Sequence, residues 1–361
     1  MLKYRDALKL DPNSADEKTD VAQEFSQITN VSFSDSLRLL EWTLETDKTI
    51  MLNRDKDVEL PPLGLPIDKD TQHMMLWISH RFRVPGRKRA ERLEFAYGAI
   101  KRFEDAQGYK SLMDFGGGGG NDAIFYAKNG FNTICADLPS GVQDSYIRKR
   151  FQLHGTDCKL EDVSALSSNR KFDVMHNMDV IEHVYDVEGV LAQMLSLLRD
   201  GGLLVIEEDC FNVIYRNRHL EKNRFYHKKL ESMFKGYAMK VDSLQNLLIF
   251  KKFRGDHLAV DEVRADLYRR TLKRATVSML VLYPLIILTP VEAIFWKLCR
   301  IFKAPLSRII SFLIKRDLPT VQENLPNFLY KRENYLMMDR FSDAVCCFRV
   351  AFNNLRKVTA K

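Results

Sequence analysis

Cysteine is scarce and unpaired in this chain. Six occur, at positions 135, 158, 210, 299, 346 and 347, and none forms a Cys-x-x-Cys pair. In a chain of this length that argues against a disulfide framework and a cysteine-based zinc site, and it suits the reduced thiols of a cytoplasmic protein. The N-terminus, Met1-Leu2-Lys3-Tyr4-Arg5-Asp6, lacks the apolar core of a signal peptide. Long charge-free runs are also missing, with one exception. Ala275–Val291 holds 17 residues without a charge. As a helix it reaches about 25 Å, short of the roughly 30 Å hydrocarbon core, and Pro284 and Pro290 interrupt it. No internal repeat is present. Acidic charge is short at one end only: the net charge is +7, of which residues 255–361 carry +8 and residues 1–254 carry −1. A neutral N-terminal two thirds without aromatic-interleaved basic stretches ranks nucleic acid low among partners.

Glycine is concentrated rather than abundant. Gly116 to Gly120 form an unbroken run between the apolar Ser111-Leu112-Met113-Asp114-Phe115 and Asn121-Asp122-Ala123-Ile124-Phe125. A strand entering a side-chain-poor turn that opens a helix lets backbone approach a ligand at free N–H groups. The register excludes two ligand classes. No frame supplies glycine at i, i+2 and i+5, and no Gly-Lys-Ser/Thr follows, so neither the dinucleotide fingerprint nor the phosphate-binding P-loop fits. Acidic-x-Gly-x-Gly-x-Gly does fit, as Asp114, Gly116, Gly118 and Gly120. The competing reading of the run by itself is a mobile loop with no ligand.

Around this loop the chain divides into three. Residues 1–107 read as helical, with Ser34-Asp35-Ser36 as a cap, a rigid break at Leu60–Pro66, and a second helical stretch from Thr71 to Phe103 carrying Arg81, Arg83, Arg87, Lys88, Arg89 and Arg92. That basic cluster precedes the glycine loop, where it would attract an anionic acceptor or simply form a solvated face. Residues 108–254 alternate strand and helix: Ser111–Phe115, a helix capped by Asn121, Thr133–Ala136, a helix near 142–153, a short strand before Asp162, Phe172–Asn177, an amphipathic helix from Val187 stopped by Asp200-Gly201-Gly202, and Leu203–Glu207. A helix at 226–235 and two apolar runs, Tyr237–Leu244 and Leu247–Phe253, complete it. Repeated βα units predict an α/β fold with a mostly parallel sheet and ligands at the carboxyl ends of its strands. Residues 255–361 form a basic helical extension.

Three further positions test the glycine motif. Asp137 ends the second strand, where an acidic side chain accepts from ribose hydroxyls. Asp162, followed by Val163, is placed to accept from an adenine amino group. Then Phe172-Asp173-Val174-Met175-His176-Asn177-Met178-Asp179-Val180-Ile181-Glu182-His183-Val184 closely resembles the fourth-strand motif of class I S-adenosylmethionine (SAM) methyltransferases of the ubiquinone-biosynthesis O-methyltransferase type. Ile181 stands where that family has leucine, and Asp200 where it has proline before Gly201-Gly202.

The resemblance, which covers 108–254, implies a Rossmann-like sheet of seven strands with SAM over its carboxyl edge. It places Asp114, Gly116, Gly118 and Gly120 around the amino-acid end of SAM, Asp137 and Leu138 at ribose and adenine, Asp162 and Val163 beside adenine, and Asn177 and Met178 under the methionine. His183 is the candidate general base, oriented by Glu182; a structural histidine is the alternative. No third ligand accompanies this pair at a telling position, so no metal is expected. The expected acceptor is a small molecule or a lipid-linked molecule, methylated at oxygen. A degenerate SAM-binding scaffold and an RNA or protein methyltransferase are the alternatives. Neither Asn/Asp-Pro-Pro-Tyr/Phe nor a paired-glutamate motif is present. In the C-terminal extension, basic residues flank both sides of Ala275–Val291, from Arg269 to Arg308. This suits peripheral attachment to an anionic membrane surface, or else a hairpin packed on the core or on a second copy in a homodimer.

Overall fold

The computed structural model describes residues 1–10, 16–50, 86–139, 141–167, 169–208, 210, 220–253, 259–278, 347 and 350. The Leu60–Pro66 break, most of the 275–291 segment, Arg81 and Arg83 fall outside them. Among the described residues, four helices precede the sheet: α1 (Tyr4–Ala7), α2 (Glu17–Thr29), α3 (Phe33–Ile50) and α4 (Gly86–Gln107). Then follow β1 (Ser111–Phe115), α5 (Asn121–Lys128), β2 (Asn132–Asp137), α6 (Val142–Leu153), β3 (Lys159–Asp162), β4 (Phe172–Asn177), α7 (Val187–Leu197) and β5 (Leu198–Glu207). A short helix α8 (Leu230–Met233) leads to the hairpin β6 (Ala238–Leu244) and β7 (Leu247–Lys252).

The seven strands form one sheet in the order β3-β2-β1-β4-β5-β7-β6. The β1–β2, β1–β4, β2–β3 and β4–β5 pairs are parallel, and β7 enters antiparallel beside β5. Strand alternation gives each central strand two apolar faces. Leu112, Val174, Leu203, Val205, Leu247 and Ile249 share one core with Leu93, Ala96 and Ile100 of α4 and Ala123 and Ile124 of α5. Helix α7 packs against β4 and β5. The chain forms two compact units: residues 1–220 with 230–264, which hold the sheet, and residues 221–229 with 265–361. In the second, Leu267, Thr271 and Ala275 are buried at helical spacing. Among the described residues, no helix is long and apolar enough to cross a membrane.

Local signals misplaced several boundaries. Asp200-Gly201-Gly202 does not stop a helix. Helix α7 ends at Leu197, and β5 begins at once because Leu198 pairs with Phe172, the register then shifting before Val174. Gly202 stays in the strand because a Cβ there would lie 2.8 Å from the Asp173 carbonyl oxygen. The N-cap of α5 is Gly120 rather than Asn121, and α3 starts at Phe33, with the Ser32 hydroxyl accepting from Asp35 N–H at 3.2 Å. The helix expected over 226–235 is the short α8, preceded by a 3₁₀ turn over Glu221–Tyr226.

Candidate active site

The site lies at the carboxyl edge where β1, β2, β3 and β4 end side by side. Register brings Asp114 level with Cys135 of β2 and His176 of β4, and Asp137 level with Asp162 of β3. Beyond β1 the glycine loop turns sharply. Gly116 N–H donates to the Ala136 carbonyl at 2.7 Å, and Gly118 N–H to Asp137 Oδ2 at 2.7 Å. Asp137 Oδ1 accepts from Leu138 N–H at 2.7 Å, so this carboxylate is anchored by backbone while Leu138 stands 65% exposed at the rim. Asp162 Oδ1 accepts from both the N–H and the hydroxyl of Ser164, and Val163 opens the short 3₁₀ turn that follows.

Two glycines show what the loop leaves room for. Gly118 has φ +51°, and among the described residues a Cβ added to it would meet nothing within 4 Å, so an open space faces the loop there. At Gly116, φ is +74° and a Cβ would lie 2.5 Å from Val180, so the loop is pressed on the segment after β4. Below it, Asn177 is fully buried, its amide donating to the Phe115 carbonyl at 3.1 Å, while its Oδ1 has no partner among the described residues. Met178 is also buried.

Four residues not singled out as site residues in the sequence, His176, Asp122, Arg89 and Tyr4, form charged contacts beside Asp114. His176 Nδ1 lies 3.0 Å from Asp114 Oδ1 in full burial. Burial raises the Asp114 pKa, and the hydrogen bond from His176 opposes that rise. Asp122, in the first turn of α5, takes the Arg89 guanidinium at 2.8 Å and the Tyr4 hydroxyl at 3.2 Å. Burial, and then the Asp122 charge, hold the Tyr4 phenol well above its ordinary range. The signals for these residues were faint: a histidine inside a buried strand, and an acidic first helical turn. Arg89 and Arg92 belong to the basic cluster, yet neither lies on a solvated face. Arg92 pairs with Glu207 at the end of β5, so α4 is tied to the carboxyl edge at two points.

After β4 the chain passes through Asp179 at φ +61°. His183 Nε2 faces Asp179 Oδ1 at 3.8 Å, and both side chains are about one-third exposed. Glu182 is fully buried. Ligand atoms of Asp179, Glu182 and His183 lie within 4.8 Å of one another, so Asp179 supplies the third group that the sequence pattern did not single out.

Residues 79–248 match the family model described as Methyltransferase domain. The ubiquinone biosynthesis O-methyltransferase of Parvibaculum lavamentivorans is 34% identical over 110 residues, covering 30% of this chain and 42% of that protein. The (S)-coclaurine N-methyltransferase of Papaver somniferum is 24% identical over 147 residues, covering 39% of this chain and 41% of that protein. The matched stretch thus spans about two fifths of the length of these relatives. The crystal structure of Burkholderia thailandensis 1,6-didemethyltoxoflavin-N1-methyltransferase superposes with a TM-score of 0.34 at 19% identity, covering 44% of this chain and 77% of that one. Residues 79–248, just under half of the chain, are thus similar to the methyltransferase domain, and they take in most of the seven-stranded sheet.

Proposed function

We propose that the protein binds SAM at the carboxyl edge of β1–β4 and transfers its methyl group to a small-molecule or lipid-linked acceptor, at oxygen. The observation that carries the reading is the open space over Gly118, bordered by the anchored Asp137 carboxylate. The residues present fit the cofactor. Asp137 retains lone pairs for the ribose hydroxyls, and Leu138 and Val163 offer apolar surface to adenine. Asp162 stands level with Asp137 to accept from the adenine amino group. Gly116, Gly118 and Gly120 give backbone access to the amino-acid end. There the buried Asp114 Oδ2 and Asn177 Oδ1 have no partner among the described residues, and Met178 closes the floor.

When bound, SAM supplies an electrophilic methyl on its sulfonium. The protein's part is to hold the acceptor in line with that methyl and to exclude water. His183 accepts the proton an acceptor hydroxyl loses as its oxygen–carbon bond forms, and the Asp179 carboxylate facing it stabilises the imidazolium. The buried Glu182 carboxyl comes within 4.8 Å of both. A titratable base of this kind contributes about 10²–10⁴-fold. His183→Ala is therefore expected to lower turnover by that order while leaving the SAM dissociation constant unchanged; unaltered turnover would remove His183 from the mechanism. A second reading, in which Asp179, Glu182 and His183 hold a divalent cation that orients the acceptor, is favoured by their mutual approach. Loss of turnover in chelator, restored by added magnesium or manganese, distinguishes it from the metal-free base.

Cofactor affinity carries a pH signature. Burial raises the Asp137 pKa from its ordinary value, against the backbone hydrogen bonds from Leu138 and Gly118. Ribose hydroxyls donate to the ionised form, so the SAM complex holds fewer protons at this site than the free protein. Affinity is expected to be constant above the raised pKa and to fall as the pH drops through it. Calorimetric titration across mildly acidic pH should show this fall, with Asp137→Asn weak but pH-independent. Transfer of radiolabelled methyl from SAM into fractionated lipid and aqueous extracts tests the activity. Label in the lipid fraction alone identifies a lipid-linked acceptor; no incorporation anywhere leaves a SAM-binding scaffold.

A further inference from the structure

We propose that Arg150 is a positioning residue for the cofactor loop, held from behind by Glu24 of the N-terminal helix α2, so that cofactor binding and the docking of α2 are coupled. The proposal rests on the SAM reading above. Helices α2 and α3 pack together through Val21, Phe25, Leu39 and Leu40, and Tyr146 of α6 joins the same apolar cluster. One carboxylate is sealed into this contact. Glu24 is 0% exposed; its Oε1 accepts from Arg150 Nε at 2.7 Å, and its Oε2 faces His154 Nε2 one turn further along α6.

The fully buried Arg150 guanidinium reaches onward. Its Nη1 donates to the Gly119 carbonyl, and the neighbouring Gly120 N–H donates to Gly117 O at 2.9 Å. The 119–120 peptide is thereby fixed from the α6 side, where Gly120 already abuts Phe151, while the space over Gly118 stays clear. Because the guanidinium is a rigid planar fork, anchoring Nε on Glu24 sets the direction of Nη1. His154 supports the anchor: Lys128 Nζ lies 3.3 Å from its Nδ1, and burial lowers its pKa, so a neutral ring donates Nε2–H to Glu24.

Stability alone is a poor account of this arrangement. Apolar side chains of similar volume commonly replace a buried ion pair without loss. Moreover, Arg150 Nη2 has no partner among the described residues. What the pair provides that apolar packing lacks is a directed donor on the loop carbonyl.

The test is amide hydrogen exchange of the full chain with and without SAM, together with calorimetry on Glu24→Gln and Arg150→Lys. Saturating SAM is expected to slow exchange of the amides of Glu17–Thr29 in the wild type by about tenfold, within the usual range of coupling between sites. Glu24→Gln keeps the shape and removes the charge. It should melt cooperatively, bind SAM about tenfold more weakly, and lose the SAM-dependent slowing in α2. A purely structural ion pair would lower the melting temperature and leave SAM affinity unchanged in the folded variant, and that result overturns the proposal. Wild-type protein that binds SAM with no change of exchange in α2 also overturns it, and this arm needs no variant to fold. Absence of SAM binding by the wild type overturns the cofactor reading itself, and the coupling with it.

Discussion

Asp137→Ala is expected to raise the SAM dissociation constant by about two to four orders of magnitude. The carboxylate has two tasks. It fixes the glycine loop by accepting from Gly118 N–H, and it orients Leu138 N–H on its other oxygen. Its remaining lone pairs face the ribose position of the proposed complex. Hydrogen bonds to a charged group contribute about 1.5–3 kcal/mol each, and losing two gives roughly 3–6 kcal/mol. At about 1.4 kcal/mol per decade, that is the stated loss of affinity. Isothermal titration calorimetry measures it, with circular dichroism to verify the fold. A folded Asp137→Ala chain that binds SAM within threefold of wild type would place the cofactor elsewhere.

The second large effect separates glycines that look alike in sequence. Gly120→Ala meets two penalties: φ is +76°, and the new Cβ lies 2.6 Å from Phe151 Cε1. Left-handed backbone costs about 1–2 kcal/mol for a residue with a Cβ, and overpacking adds about 1–3 kcal/mol. A destabilisation of roughly 2–5 kcal/mol should lower the melting temperature by on the order of 5–10 °C. Gly119→Ala is expected to be neutral within about 0.5 kcal/mol, since its nearest neighbour would be Arg150 at 3.8 Å. Gly118→Ala, at φ +51°, meets the left-handed cost of about 1–2 kcal/mol but no clash, so it should be less destabilised than Gly120→Ala and lose SAM. Gly117 is outside the alternating motif, yet a Cβ there would sit 2.6 Å from both Asp114 Oδ2 and Cys135 Sγ. Thermal melts and SAM titrations of the four variants check the series; equal effects at Gly119 and Gly120 would refute the packing account.

Much of the cofactor half was legible because its signals are local. Ser111–Phe115 and Phe172–Asn177 have the bounds that their apolar runs predict. Hydrophobic periodicity and turn residues specify such elements within a few positions of themselves. Asp200–Gly202 misled for a complementary reason. Glycines that usually end a helix instead lie within β5, because pairing with Phe172 across the sheet overrode the local preference.

The order of acidic and glycine residues in the sequence by itself set the expectation of a SAM site and of the sheet that carries it. Each of these positions is defined by its distance along the chain from a strand end. Only the tertiary structure decided which charges meet: Asp114 with His176, Asp122 with Arg89 and Tyr4, Asp179 with His183, and Glu24 with Arg150. Most of these partners lie far apart in sequence, and no spacing rule marks them. They meet because a buried charge must find a compensating donor or acceptor, and the packing of helices on the sheet settles which one is within reach.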